Sequence, residues 1–383
     1  MLQTLFVYSL LLTLMLMFNA TSVYMHSKGL LCIGRRQDGN VPILALLVFA
    51  FIFGIRYNVG IDHLDYLHHY ESMRIFGVGI FDFEGGFALV TNLFAGANLH
   101  FAFYFAFLAF LQVFVLFYAL REHYKVHSYI IITFILSAIF VVGFMNVIRH
   151  QIAFVFWVLA ITFITKKQIL PYFICIFLAT SFHISSVLLI PFYFIYRYKR
   201  NFFENIKIQL LLLFGALFIM LTLNPVLLIL ESVEGLARLF GFGGYFGMIA
   251  AGDLRFLEPS RDRGIGFIVM LCINIILIVL SPKVKDYFKS SFLYIVYDLY
   301  FVGVLYLYLA SGSLMLQRIN IFFHNFYFII AAFTLYYLAK NSSFKNKLLQ
   351  YFLLLLFFLI FYAIIIFRGE ESVAIYSTFW QNN

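Results

Sequence analysis

Long apolar runs alternate along this chain with short polar breaks, and the breaks are of two kinds. The runs are roughly 18 to 22 residues long, enough for each to cross a hydrocarbon core of about 30 Å as a helix. None shows the residue-by-residue alternation of a membrane barrel strand; the stretch from Leu348 to Phe367 is apolar on every side. In chain order the pattern predicts spans at about Leu2 to Met25, Val41 to Ile55, Leu99 to Leu120, Tyr129 to Val147 and Arg149 to Thr165. Further spans follow at about Ile208 to Leu230, Gly264 to Leu280, Tyr294 to Ser311, Gln317 to Ala339 and Leu348 to Phe367. Gln168 to Tyr196 is too short to cross twice at full length, yet basic residues flank both its ends. It is therefore expected to be a hairpin of two short helices, turning near Ala179 to His183. Gly85 to Ala97 is apolar but short, and reads as a re-entrant or interfacial helix. The expected class is thus all-α, a single polytopic transmembrane domain over residues 1–383 with about twelve transmembrane helices.

The first kind of break is basic. Lys28, Arg35 and Arg36 follow the first run, and Arg121 with Lys125, Lys166 with Lys167, Arg197 to Arg200, Lys283 to Lys289 and Lys340 to Lys347 mark later ones. Such clusters orient loops to the cytoplasm. Because the charge follows the first apolar run rather than preceding it, that run is expected to remain as a helix instead of being cleaved as a signal peptide. The second kind is acidic or mixed. Residues 56–85 form a first outer loop with Arg56, Asp62, Asp65, Glu71, Arg74, Asp82 and Glu84, five carboxylates against two arginines. Residues 231–263 form a second, larger outer loop.

Composition agrees. The 383 residues are 64% apolar, 21% aromatic and only 11% charged, whereas a soluble domain is about 45 to 50% apolar. The net charge of +9 resides in the cytoplasmic clusters, so it implies no nucleic-acid partner. Cys32, Cys175 and Cys272 are far apart and define neither a disulfide framework nor a zinc site. No internal repeat relates the halves, which weighs against an inverted-repeat transporter.

Chemistry concentrates at outer helix ends. Arg56, Arg149, His183 and Arg318 all lie there, away from the orienting clusters. Each arginine could simply snorkel to the headgroups. Together, on the face that carries the acidic loop, they suit a polar cavity that holds a phosphate, because guanidinium stays charged and presents paired donors. Asp62 reads either as the N-cap of a short helix running to about Arg74 or as a proton acceptor. Asp65 and His69, four apart on that helix, are too loosely arranged with Asp62 and His63 to define a metal site, and no metal or other cofactor is expected.

The ordered segments RYNVGIDHLDY, FEGGF, NVIRHQIA, SFHISSVLLIPFYFI and LQRINIFF resemble the Wzy-type polysaccharide polymerases, in particular the EpsG-like family. Arg56, Gly60, Asp62 and Tyr66 match the family's first element, Glu84 and Gly85 the second, Arg149 and Ala153 the third, His183 and Ser185 the fourth, and Arg318 the last. The third element departs by one inserted residue, His150, between Arg149 and Gln151. The resemblance implies a GT-C-like membrane glycosyltransferase that joins undecaprenyl-pyrophosphate-linked oligosaccharide repeats at the outer face of the bacterial inner membrane. Such enzymes build O-antigen of lipopolysaccharide, capsule or exopolysaccharide. On that reading Asp62 and His183 are the candidate catalytic residues, and Arg56, Arg149, Arg318, Tyr66, Glu84 and Gln151 bind pyrophosphate or sugar. The partners are the lipid-linked donor and acceptor, membrane lipids and a chain-length regulator protein. A flippase or exporter of the same lipid-linked sugars, and an O-antigen ligase, are the alternative readings.

The charge pattern predicts the topology directly. Cysteines introduced as Tyr245→Cys should label from outside intact cells and as Lys199→Cys should not; the opposite result would invert the arrangement.

Overall fold

The computed structural model describes residues 2–29, 39–222, 264–311, 314–341, 345–368 and 376–381. The larger outer loop expected at 231–263 lies outside the described residues, as does Cys32. Seven helices among the described residues are long and apolar enough to cross a membrane, and shorter apolar helices accompany them. The protein is an all-helical polytopic membrane protein, as the apolar pattern predicts.

The helices are α1 (Leu2–Lys28), α2 (Ile43–Gly54), α3 (His63–Phe76), α4 (Gly85–Gly96), α5 (Phe101–Ala119), α6 (His127–Leu136), α7 (Ile148–Thr165), α8 (Ile169–Phe182), α9 (Phe192–Tyr198) and α10 (Ile206–Thr222). They continue with α11 (Ile265–Phe288), α12 (Ser291–Leu309), α13 (Leu314–His324), α14 (Tyr327–Lys340) and α15 (Lys345–Arg368). The chain divides into two compact units. One comprises Met1–Thr162, Phe173–His183 and Phe358–Asn383; the other comprises Phe163–Tyr172 and Ile184–Phe357.

In the first unit α2 packs against α1 and α5, α1 against α6, and α3 against α4 and α5. The C-terminal segment is tied to α1 and α2 of this unit. Tyr376 accepts no role in a helix; its backbone N–H donates to Thr4 Oγ1 (2.9 Å) and its hydroxyl to the Ile52 carbonyl (2.7 Å). Arg56 and Thr378 form an isolated antiparallel bridge.

One expected span is not a single helix. α6 stops at Leu136, Ala138 takes a left-handed φ of 57°, and a π-helical turn, Phe140–Phe144, leads into α7. Ser137 accounts for the start of the break, its hydroxyl donating to the Phe134 carbonyl (3.2 Å) and receiving the Ile139 N–H (3.4 Å) in place of a helical bond. A broken helix leaves carbonyls unpaired where water is scarce. Gln112, fully buried on α5, braces the break from the side, donating to the carbonyls of Phe144 (3.3 Å) and Ile148 (3.2 Å). The span expected at 317–339 is likewise divided, into α13 and α14, by a turn at Asn325 and Phe326.

The second unit is held by polar groups that face inward. α12 packs on α10 and α13, and α11 on α14. Asn274 of α11 donates to the Tyr308 hydroxyl (3.3 Å) and accepts from that of Tyr300 (2.9 Å), while Tyr297 donates to Gln209 of α10. The expected hairpin is present: α8 ends at Phe182, a 3-10 turn Ile184–Leu189 follows, and Tyr172 of the first arm donates to the Leu189 carbonyl (2.6 Å) and packs on Tyr193 of the second. α11 outruns its expected end at Leu280 and carries Lys285 into the interior. There its ammonium donates to Asn201 Oδ1 (2.7 Å) and the Phe203 carbonyl (2.9 Å) and lies 3.8 Å from Asp298. Asp298 in turn receives the N–H groups of Phe202 (2.6 Å) and Phe203 (3.3 Å).

That cluster ties the basic segment after α9 to α11 and α12. Removing one partner of a buried pair strands the other charge, which typically costs about 3 to 5 kcal/mol. Asp298→Ala should therefore lower the thermal unfolding temperature of the purified protein by many degrees, whereas the exposed Lys199→Ala should leave it nearly unchanged.

Candidate active site

The polar loop of residues 56–85 is shaped by what lies beneath it. Arg56 follows α2 and is fully buried; its Nη1 donates to the carbonyls of Val59 (3.0 Å) and Met145, and its guanidinium lies 3.9 Å from the Phe53 ring centroid. Expected among the pyrophosphate ligands at a helix end, Arg56 is instead fully buried, its Nη1 turned to one carbonyl of the loop and one at the break before α7, while its Nε and Nη2 meet no hydrogen-bond partner among the described residues. Gly60 takes φ +96°, a conformation L side chains resist, and a Cβ there would also lie 3.3 Å from Asn146 Oδ1. The same Oδ1 accepts the Asp62 N–H (3.0 Å). Arg56 and Asn146 thus clamp the RYNVGID turn onto the start of α7 from both sides.

Asp62 does immediately precede α3, as a cap would, but its backbone is already helical and its side chain makes no capping bond. The capping reading is therefore not the one the geometry favours. Its carboxylate is half-buried and acts electrostatically on Tyr66, one turn on. Tyr66 is buried, and that burial pushes its phenol up, with Arg149 opposing the shift; it is a neutral group at neutral pH.

Glu84 is the centre of the cluster. It enters α4 in extended conformation, followed by Gly85 and Gly86. A Cβ on Gly86 would lie 2.4 Å from Ser181 Oγ and 2.8 Å from the Ser181 carbonyl, whereas one on Gly85 would meet nothing within 4 Å. Only a glycine at 86 lets the start of α4 abut the end of α8. That approach brings Glu84 to His183, which sits where α8 stops. Glu84 Oε2 pairs with Arg149 Nη1, and Oε1 lies 4.0 Å from His183 Nδ1. Arg149, on the first turn of α7, also covers the Phe83 ring at 4.4 Å and lies close enough to Tyr66 to act on it electrostatically. The side chains of Arg149, Glu84 and His183 keep 26%, 19% and 16% of their surface exposed, so a ligand can reach them.

The structure therefore joins Glu84, Arg149, His183 and Tyr66, from four separate stretches, and sets Asp62 beside them. It adds two residues that the sequence pattern did not single out. The His150 ring is buried against His183 with centroids 4.0 Å apart, and Phe83 backs the Arg149 guanidinium. His150 first reads as an insertion that disturbs a motif; its adjacency to Arg149 was the available signal. Gln151 is buried and faces Gly143 of the π-helical turn, where a Cβ would lie 2.8 Å from its Nε2. Arg318 occupies an exposed position on α13, in the second unit. Asp65 is exposed, and His69 turns its Nδ1 to the N–H groups of Ile80 (3.1 Å) and Phe81 (3.0 Å), so the two do not converge on a metal. Among the described residues no three potential metal ligands come together.

A many-spanning helical membrane protein with a charged cluster at helix ends defines the class. The EpsG family model matches residues 40–378, and the chain belongs to that family, one of Wzy-like polysaccharide polymerases. No curated protein and no solved structure matches the chain.

The two glycines separate geometry from composition. Gly86→Ala should force α4 away from α8 and cost at least about tenfold in polymer formation through a misplaced Glu84, while Gly85→Ala should retain nearly full activity; polymer length profiles from cells with matched protein levels would show both.

Proposed function

We propose that this protein polymerises undecaprenyl-pyrophosphate-linked oligosaccharide repeats as a GT-C type glycosyltransferase, working at the periplasmic face of the bacterial inner membrane. The observation that carries the reading is the Arg149–Glu84–His183 cluster beside Asp62 and Tyr66. Family membership supports the polymerase chemistry, and the clustering of lysine and arginine in the loops at the opposite helix ends supports the periplasmic side.

In the reaction the acceptor sugar's hydroxyl attacks C1 of the donor's reducing-end sugar. The C1–O bond to phosphate breaks, and the electron pair leaves with the pyrophosphate. Arg149, set at the start of a helix whose dipole also favours anions, holds the growing negative charge, with Tyr66 donating beside it. Glu84 is the built-in counter-ion. It holds the guanidinium in place between turnovers and faces His183 Nδ1, which favours the tautomer that leaves Nε2 unprotonated. His183 is then the base that takes the hydroxyl proton, with Glu84 stabilising the imidazolium. Asp62 orients the acceptor through its hydroxyls. Arg56 acts indirectly, by fixing the loop on α7, and Gln151 by packing the break below. The enzyme's remaining partners are the membrane lipids and a chain-length regulator.

With purified protein and lipid-linked repeat, Arg149→Lys should lower kcat by at least about tenfold, because a point charge replaces paired donors. His183→Ala should lose about two to four orders of magnitude in rate with donor binding retained, and Asp62→Asn should be milder. A dead Asp62→Asn beside an active His183→Ala would exchange the two roles, and full activity of Arg149→Lys would remove the anion site.

A further inference from the structure

Beside the Glu84 cluster lies an open cavity of about 430 Å³, within the size range of small-ligand sites, walled by His69 and Met73 of α3, the loop 79–83, and Ala88 and Asn92 of α4. Phe83 is its common wall with the cluster, since the same ring backs Arg149. The loop is held in shape by His69, which is 3% exposed and accepts two backbone N–H groups at one nitrogen. That bonding fixes the proton on Nε2, and burial followed by the field of Arg149 pushes the imidazole's pKa down. Gly79 lies flat on this ring, where a Cβ would come within 2.5 Å of Cε1. Phe81 stacks on the ring at 5.9 Å and Phe83 packs on it at 4.5 Å, while Phe81 keeps 43% of its surface exposed. The wall is therefore formed before any ligand arrives.

The lining selects a class of occupant. It contains no lysine or arginine, its histidine is neutral, and Asp82 adds a carboxylate; a phosphate would be repelled. A purely apolar tail would strip water from Asp82 and Asn92 and give nothing back. A pyranose ring satisfies both halves, having a C–H face for the aromatic rings and a rim of hydroxyls for the carboxylate and amide. We propose that this cavity binds one sugar ring of the lipid-linked repeat, packed against Phe81 and Phe83 with its hydroxyls on Asp82 and Asn92, beside the anion site at Arg149. The proposal rests on the polymerase reading for the identity of the saccharide, and it names a subsite that sets sugar specificity.

The test uses the full-length protein in nanodiscs and, as probe, the single-repeat oligosaccharide released by mild acid from the host's own surface polysaccharide, without lipid or pyrophosphate. Saturation-transfer NMR should detect its binding to wild type and to Arg149→Lys. Phe81→Ala and Asp82→Ala should each weaken that binding about tenfold or more, and should raise the KM for lipid-linked repeat with little change in kcat. Equal binding by wild type, Phe81→Ala and Asp82→Ala overturns the subsite, as does a wild type that polymerises lipid-linked repeats yet gives no signal with the probe. A wild type that binds the probe in a Phe81- and Asp82-dependent way but polymerises nothing supports the subsite and overturns the functional reading instead.

Discussion

A helix that breaks inside a membrane exposes carbonyls that neither water nor lipid can satisfy, and the break between α6 and α7 is the constraint on which the first unit depends. Groups at the break are met from elsewhere in the chain. Gln112 takes the carbonyls of Phe144 and Ile148, and Arg56 takes that of Met145. Asn146, at the same break, takes the Asp62 amide. Paying this cost has a structural product: the outer loop is sewn to the first turn of α7, and Arg149 emerges on that turn with its position already determined.

The charged cluster follows the same logic. A guanidinium near a membrane boundary is expensive unless it is paired, and Glu84 supplies the pair only because Gly86 permits α4 to touch Ser181. His183 arrives by the opposite route, from the end of α8, where the hairpin turns. Charge, close backbone approach and helix termination thus act at one point. The arrangement leaves the cluster partly exposed, with the Arg149 charge paired to Glu84. The second unit uses its polar residues differently. Lys285, Asp298, Asn274 and Gln209 are turned inward to hold helices and the basic segment after α9 together.

Much of this was legible in the sequence. Apolar length alone determined an all-helical membrane protein, because hydrocarbon admits few other solutions, and the clusters of lysine and arginine determined the predicted sidedness. The motif order singled out Arg149, Glu84, Tyr66, Asp62 and His183 together with Arg56, Gln151 and Arg318, because isolated ionisable residues at the ends of membrane helices carry a cost. What the sequence could not decide was which of those residues meet. Hydropathy does not see a π-helical turn, so the span over Tyr129 to Val147 looked continuous. Nothing local to Arg56 reveals that Met145, far along the chain, presents it a carbonyl. His150 looked like an inserted residue because its partner, His183, lies on another helix. Only tertiary structure could make these choices, for a physical reason: burial and hydrogen bonding join groups distant in the chain, whereas periodicity and charge report only on a residue's neighbours and on the solvent it will face.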